Sequence, residues 1–457
     1  MPLSNSILTE LADSIHELGL SLLQAGRLRE AAFQFRKALA MAPDLADAGL
    51  CLGHCLHLQG NYAEALNVYD RLLLRWPDLV AAWSNRGNAL MELSRFEDAA
   101  SSYARALEQA PGLYDVRVAL ATSYQALGKL DEAMAACNQV LACAPEHAEA
   151  HWNRALLLLL SGEYREGWRE YEWRWQKRNF TSPRRDFPQS LWQGEPIAGK
   201  TILIHAEQGF GDTLQFSRYV PLVAKLGAQV FFECQLPLVS LMANLPGDIC
   251  VVAAGEALPP FDSHIPLLSV VGLFNTSVDH IPGVVPYLQP SADRLPYWHN
   301  LLAGEDRPAP IQSEVLKIGL CWAGKSYPDP LRSCPEGVLA SLAKIAGISW
   351  FSLQTGWDMP LPLPMTDLTG HIRDFGDSAA LISQLDLVIT IDTAVAHLAG
   401  GLDKPTWLML PYAADWRWLT ARDYSPWYPS MRLFRQPRPG AWGDVIERVA
   451  EALVQRG

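Results

Sequence analysis

The sequence predicts an α-solenoid in its first third, followed by two Rossmann-like α/β halves in series. Three observations carry this. Prolines and glycines recur every 34 residues before about residue 165, short apolar runs alternate with helical stretches after residue 200, and a polar, proline-rich break lies between about Ala292 and Glu314. Stacked helical hairpins give the first pattern, and strand–helix–strand units that build parallel sheets give the second.

Pro43, Pro77, Pro111 and Pro145 stand 34 residues apart. Gly26, Gly60, Gly128 and Gly162 keep the same period, with Ser94 in the remaining slot. Glu30, Glu64, Asp98, Glu132 and Glu166 keep it too, as do the small residues Gly19, Gly53, Gly87, Ala121 and Ala155. The glycine ends the first helix of each hairpin, and the proline follows the second. The small residue lets the two helices approach closely. This register resembles the tetratricopeptide repeat, with four full units over about residues 13–148 and a fifth beginning near Glu149. Each hairpin buries its apolar face only against its neighbours, which leaves a concave groove, and a protein or peptide partner is expected there. Asn85 and Asn153 sit at equivalent positions of the first helices, where they either bond a ligand backbone or pack.

Trp168, Tyr171, Trp173, Trp175, Phe180 and Trp192 then crowd together with interleaved cations. A terminal repeat needs a cover, so this segment reads as a capping helix packed against the next domain. The expected organisation is a repeat array with its cap over 1–180, a linker over 181–199, an N-terminal Rossmann-like domain over 200–305 and a C-terminal one over 306–457.

Thr201–His205 reads as a strand, and Gln208-Gly209-Phe210-Gly211-Asp212 as the loop that opens a helix reaching about Leu226, bent at Pro221. Strands are expected at 230–234, 249–253 and 263–267, then over 316–324 before a loop from Lys325, and at 350–353, 387–391, 406–410 and 431–434, with a last helix from about Trp442 to Gln455. Ligands of such sheets bind where the strands end, at the switch point of strand order.

Net charge is −12, which excludes a general nucleic-acid binder. The eight cysteines form no CxxC pair, and no metal site is expected. No basic-then-apolar leader and no span-length apolar run is visible, so a cytoplasmic setting is expected. Leu214 stands where a dinucleotide loop needs its third glycine, which disfavours a nicotinamide cofactor.

Two loops are placed for chemistry. Leu387–Ile391 is an apolar strand that stops at Asp392-Thr393-Ala394, where a helix begins and carries His397 one turn in. A helix N-terminus there suits a phosphate, with Asp392 and Thr393 also reading as plain caps. Asp212, opening the other helix, suits a general base or an N-cap. Together, the Gly-Phe-Gly-Asp-Thr loop, Trp322-Ala323-Gly324 and Asp392-Thr393-Ala394-x-x-His397 resemble the family 9 glycosyltransferases, the group of the lipopolysaccharide heptosyltransferases, over about residues 200–450. With the repeats in front, the layout looks like that of the protein O-linked N-acetylglucosamine transferases, although their catalytic histidine and lysine motifs are not recognisable in this chain.

The resemblance implies a GT-B fold and inverting sugar transfer from a nucleotide-sugar, with no metal or other cofactor. It implies Asp212 as the base, with Gln208, Gly209 and Gly211 in the substrate loop. It places the donor against Ala323, Gly324, Gln354, Asp392, Thr393, Ala394 and His397, with Arg332, or else Lys325, as the cation on the diphosphate. Tyr327-Pro328-Asp329-Pro330 breaks the first phosphate loop and departs from the family pattern. The competing expectation is a binding scaffold whose α/β part is inactive.

Overall fold

The computed structural model describes residues 5–303, 315–325 and 330–456. The chain divides into two compact units, Met1–Leu157 and Leu158–Gly457. The expected domain break at 305/306 and the Tyr327–Asp329 stretch lie outside the described residues.

The first unit is a run of helical hairpins: α1 (Asn5–Gln24) with α2 (Leu28–Met41), α3 (Ala46–Leu58) with α4 (Tyr62–Arg75), α5 (Val80–Glu92) with α6 (Phe96–Gln109), and α7 (Tyr114–Ala126) with α8 (Leu130–Cys143). A fifth pair, α9 (Ala148–Leu160) and α10 (Tyr164–Tyr171), continues the pattern along the chain. The periodic small residues do steric work: a Cβ on Gly53 would lie 2.5 Å from the Tyr69 ring, and one on Gly87 would lie 2.4 Å from that of Tyr103. The turns close in Schellman fashion, as in Asn61 N–H to Leu56 C=O (2.9 Å) and Gly60 N–H to His57 C=O (2.9 Å). Asn153 is a packing residue, donating to Thr122 Oγ1 at 3.0 Å.

In the second unit, β1 (Ser190–Leu191), β2 (Thr201–His205), β3 (Gln229–Cys234), β4 (Ile249–Ala253) and β5 (Ser263–Pro266) form one parallel sheet, ordered β1-β5-β2-β3-β4. The stretch expected as a linker thus contributes an edge strand, because two residues suffice to pair Ser190 with Ser263. The second sheet is also parallel, ordered β11-β10-β9-β6-β7-β8, from β6 (Leu316–Cys321), β7 (Ile348–Ser352), β8 (Thr366–Asp367), β9 (Leu387–Ile391), β10 (Thr406–Leu410) and β11 (Met431–Arg435). Both orders reverse beside an inner strand, at β2/β5 and at β6/β9, the switch points where ligands bind in such folds. The expected bend after β2 falls earlier than Pro221: a 3₁₀ turn over Ser217–Tyr219 separates the helices Phe210–Phe216 and Val220–Ala224.

The cap segment packs within this second unit. Trp168 meets the rings of Phe216 and Trp416 edge-on, with centroids 5.6 and 5.2 Å away. Arg174 is fully buried and holds Glu207 with two bonds of 2.8 and 3.0 Å, plus Ser269 at 2.8 Å.

The turn positions of the repeats generate a prediction. Gly26, Gly60, Gly128 and Gly162 are left-handed, and Ser94 occupies the same region at φ 57°. An L side chain there costs roughly 1–2 kcal/mol. Ser94→Gly is expected to raise the unfolding free energy by about 1 kcal/mol net of glycine's extra chain entropy. Chemical denaturation of the two proteins checks this; an unchanged or lower midpoint contradicts it.

Candidate functional site

β9 and β10 are buried along their whole length, so their chemistry lies where the strands stop. After β2 the chain turns through Gln208, whose φ of 63° is held by three bonds: its N–H to Ser182 Oγ (2.7 Å), its side-chain amide to Tyr171 OH (2.9 Å), and Gln235 Nε2 to its carbonyl (3.3 Å). This turn opens the helix Phe210–Phe216. The N-cap is Gly209 rather than Asp212, which sits at the third helical position and accepts the Gly209 N–H at 2.9 Å. Gly211 admits the His397 side chain: a Cβ there would lie 2.9 Å from it. Beside the loop, Ser182, Arg185, Glu207, Gln208, Glu233 and Gln235 line a cavity of about 230 Å³. A larger, open depression of about 440 Å³ lies on the repeats around Gly60–Glu64 and Leu93.

At the second switch point, β9 ends at Ile391 and the helix Ala394–Gly401 begins. Thr393 stands at its N-cap with extended backbone, but its side chain does not cap; it faces Cys321 Sγ and Thr390 Oγ1 instead. Asp392 accepts from Trp418 Nε1 at 2.9 Å. Helix-opening amides are therefore left without a side-chain acceptor, the condition an anion exploits. His397 is buried. Its Nδ1 lies 2.9 Å from Tyr428 OH, its Nε2 3.9 Å from Asp392 Oδ1, and its ring stacks on Trp418.

The loop after β6 differs from expectation. Gln354 turns its side-chain carbonyl onto the loop and accepts the Trp322 and Ala323 N–H groups at 3.2 and 2.8 Å, while Gly324 N–H donates to Ser333 Oγ at 3.1 Å. Two of the expected phosphate amides are thus engaged within the protein. Arg332 folds over Gly324, where an added Cβ would lie 2.7 Å from its Nε, and donates to the Lys325 carbonyl at 2.9 Å. That Nε is buried without a hydrogen-bond partner. Lys325 is exposed.

The residue that sequence reasoning missed is Arg417. The loop Asp415-Trp416-Arg417-Trp418 brings its buried guanidinium between the two switch points. It donates to Asp212 Oδ1 (2.5 Å), Asp415 Oδ1 (2.9 Å) and Gln215 Oε1 (2.6 Å). The signal available in sequence was the alternation of tryptophans with one arginine, but its partner Asp212 is 205 positions away.

Electrostatics follow from burial. Burial raises Asp212 above the usual aspartate range even though Arg417 pulls the other way. Burial, with Asp415 nearby, pushes Asp392 up to about 7, opposed by the Trp418 N–H, Arg417 and Arg332. His397 is held neutral, its pKa well below the usual value, by burial and then by Arg417 and Arg218. Burial alone would weaken Arg417's charge, but Asp415 and Asp212 outweigh it and the pKa is raised.

Comparison with known proteins identifies the repeats first. The tetratricopeptide-repeat family matches residues 59–114 and, through a second description of the same repeat, residues 22–85 and 90–165. The N-terminal region is therefore a tetratricopeptide array, and such arrays bind protein partners. Protein FlbA of Caulobacter vibrioides is 29% identical over 361 residues, covering 72% of this chain and 59% of FlbA. The chain thus spans less than two thirds of that relative, yet the share of this chain is too large to be confined to the repeats. Among solved structures, MamA of Desulfovibrio magneticus RS-1 is 17% identical, covering 35% of this chain and 91% of that one with a TM-score of 0.34. A thermophilic tetratricopeptide protein of Thermus thermophilus is 24% identical, covering 35% and 88% with a TM-score of 0.31. No helix among the described residues is long and apolar enough to cross a membrane.

Asp392 makes the site testable without a ligand. Its folded pKa lies above that of an unfolded aspartate, about 3.9. Its contribution to stability is therefore full below about pH 4 and is lost as pH rises to about 7. Asp392→Asn is expected to flatten the fall in unfolding free energy across that window. Denaturant titrations at several pH values check this, and equal slopes in the two proteins contradict it.

Proposed function

We propose that the α/β region is an inverting glycosyltransferase of GT-B type, moving a sugar from a nucleotide-sugar to a protein or glycan acceptor that the repeats recruit. One observation carries this reading: the helix that carries the Asp212 carboxylate at the β2/β5 switch point packs through Gly211 against His397 of the helix with an uncapped N-terminus at the β6/β9 switch point, with Arg417 bonded to Asp212 and both Arg417 and Arg332 within electrostatic reach of Asp392. The likeness to FlbA reaches past the repeats and adds no activity by itself.

In this mechanism Asp212 takes the proton of the acceptor hydroxyl, and the resulting oxygen attacks the anomeric carbon. The bond to the phosphate oxygen breaks on the opposite face, and the electron pair leaves on the nucleoside diphosphate. Burial favours a base with a raised pKa, which suits Asp212. The departing charge would be met by Arg332 and by the amides opening Ala394–Gly401, which act strongly because the site is shielded from water. Neutral His397 would fix Asp392 and the helix end rather than carry charge. The cavity beside Gln208 would seat the acceptor near Asp212.

A second reading is favoured by a specific observation. Both Asp212 oxygens, the Ala323 N–H and the Gly324 N–H are already engaged within the protein, as they would be in an inactive scaffold. Single substitutions separate the two. Asp212→Asn is expected to retain donor binding and to lose transfer by two to four orders of magnitude, the typical worth of a general base. Transfer at the parent rate removes Asp212 from the role. Arg332→Ala is expected to weaken donor binding at least tenfold by calorimetry, and unchanged affinity removes Arg332 from the diphosphate.

A further inference from the structure

The loop carrying Arg417 is built at a cost. Leu419, two residues on, is held at φ 52°, a region that a bulky side chain avoids. Arg435 Nη2 pins it there by donating to the Trp418 and Leu419 carbonyls at 3.1 and 2.7 Å. Trp416 is fixed among Trp168, Tyr164 and Trp427, and Trp418 against His397 and Asp392. The flanking rings leave Arg417 as the member of this loop that bridges the two halves. Its three acceptors come from both: Asp212 and Gln215 from the helix Phe210–Phe216, and Asp415 from its own loop.

This arrangement conflicts with the proposed chemistry in one respect. Asp212 Oδ1 accepts from Arg417 and Oδ2 from the Gly209 N–H, so the guanidinium stabilises the carboxylate's charge and makes it a weaker base toward a hydroxyl. The release is at hand, because Arg417 also lies within electrostatic reach of Asp392 at the opening of Ala394–Gly401. Guanidinium binds phosphate as well as carboxylate through the same two-pronged geometry.

We propose that Arg417 is a positioning residue that exchanges Asp212 for a diphosphate group, so that donor binding frees the base. The proposal rests on the transferase reading and adds an order to it: donor first, then acceptor activation. Asp212 and the diphosphate compete for one guanidinium. Each therefore weakens the other's hold on it, by reciprocity of binding free energies.

Competition gives a signature that a structural ion pair does not. The probe is inorganic pyrophosphate, titrated calorimetrically into the full chain, with thermal melting as the check on folding. Asp212→Asn is expected to bind pyrophosphate three- to tenfold more tightly than the parent, since Arg417 is then uncontested. Arg417→Ala is expected to bind at least tenfold more weakly, and Arg417→Lys to recover part of the loss; if the alanine variant does not fold, the lysine variant and Asp212→Asn still decide. If Asp212→Asn binds no more tightly, or if Arg332→Ala weakens binding while both Arg417 variants leave it unchanged, the exchange is wrong and the transferase reading stands. If the parent binds no pyrophosphate, both fall.

Discussion

A strand buried on both faces tolerates a polar side chain only where it finds a partner, and this constraint shapes the second unit. β9, Leu-Val-Ile-Thr-Ile, is buried at every residue, and β10 likewise. Their hydrogen-bonding capacity is spent within the sheet and their side chains within the core around Ile318, Leu320, Ile389 and Met409. In β9 and β10 no residue is charged, and charge enters only where these strands stop. In parallel sheets all strands stop at the same edge, so Asp212, Asp392, His397 and Arg417 meet without being neighbours in sequence.

The same constraint explains what the sequence disclosed. Periodicity is a local property, so the 34-residue register, including the odd slot at Ser94, could be read directly and recurs in the backbone as a repeated left-handed turn. Strands β2 to β7 and β9 to β11 announced themselves as apolar runs, Asp392 as the first polar residue after β9 and Asp212 as the carboxylate opening the helix after β2. β1 was hidden because a two-residue strand has no pattern. Arg417 was hidden because its meaning lies in partners brought by the fold, and a Trp-Arg-Trp run reads as an aromatic loop. Gln354 was placed correctly at a strand end, but the direction of its side chain, inward onto the Trp322–Ala323 amides, depends on packing that spacing does not encode.

The cap segment ties the repeat array's last helix into the same chemistry. Arg174 and Glu207 form a buried pair directly before Gln208, and Tyr171 holds the Gln208 amide. Removing one member of a buried pair leaves the other charge uncompensated, typically at about 3–5 kcal/mol. The conformation of the Asp212 loop therefore depends on side chains that belong, by sequence pattern, to the end of the repeats.

The central claim is that the two switch points together hold a nucleotide-sugar. The most direct measurement is a thermal-shift screen of UDP-, GDP-, ADP- and CMP-sugars on the full chain. A ligand at one hundred times its dissociation constant adds roughly 2.7 kcal/mol of stability. The account predicts a clear upward shift with one nucleotide class, reduced in Arg332→Ala. No shift with any of them at millimolar concentration would contradict it and leave the α/β region as a scaffold beside the partner-binding repeats.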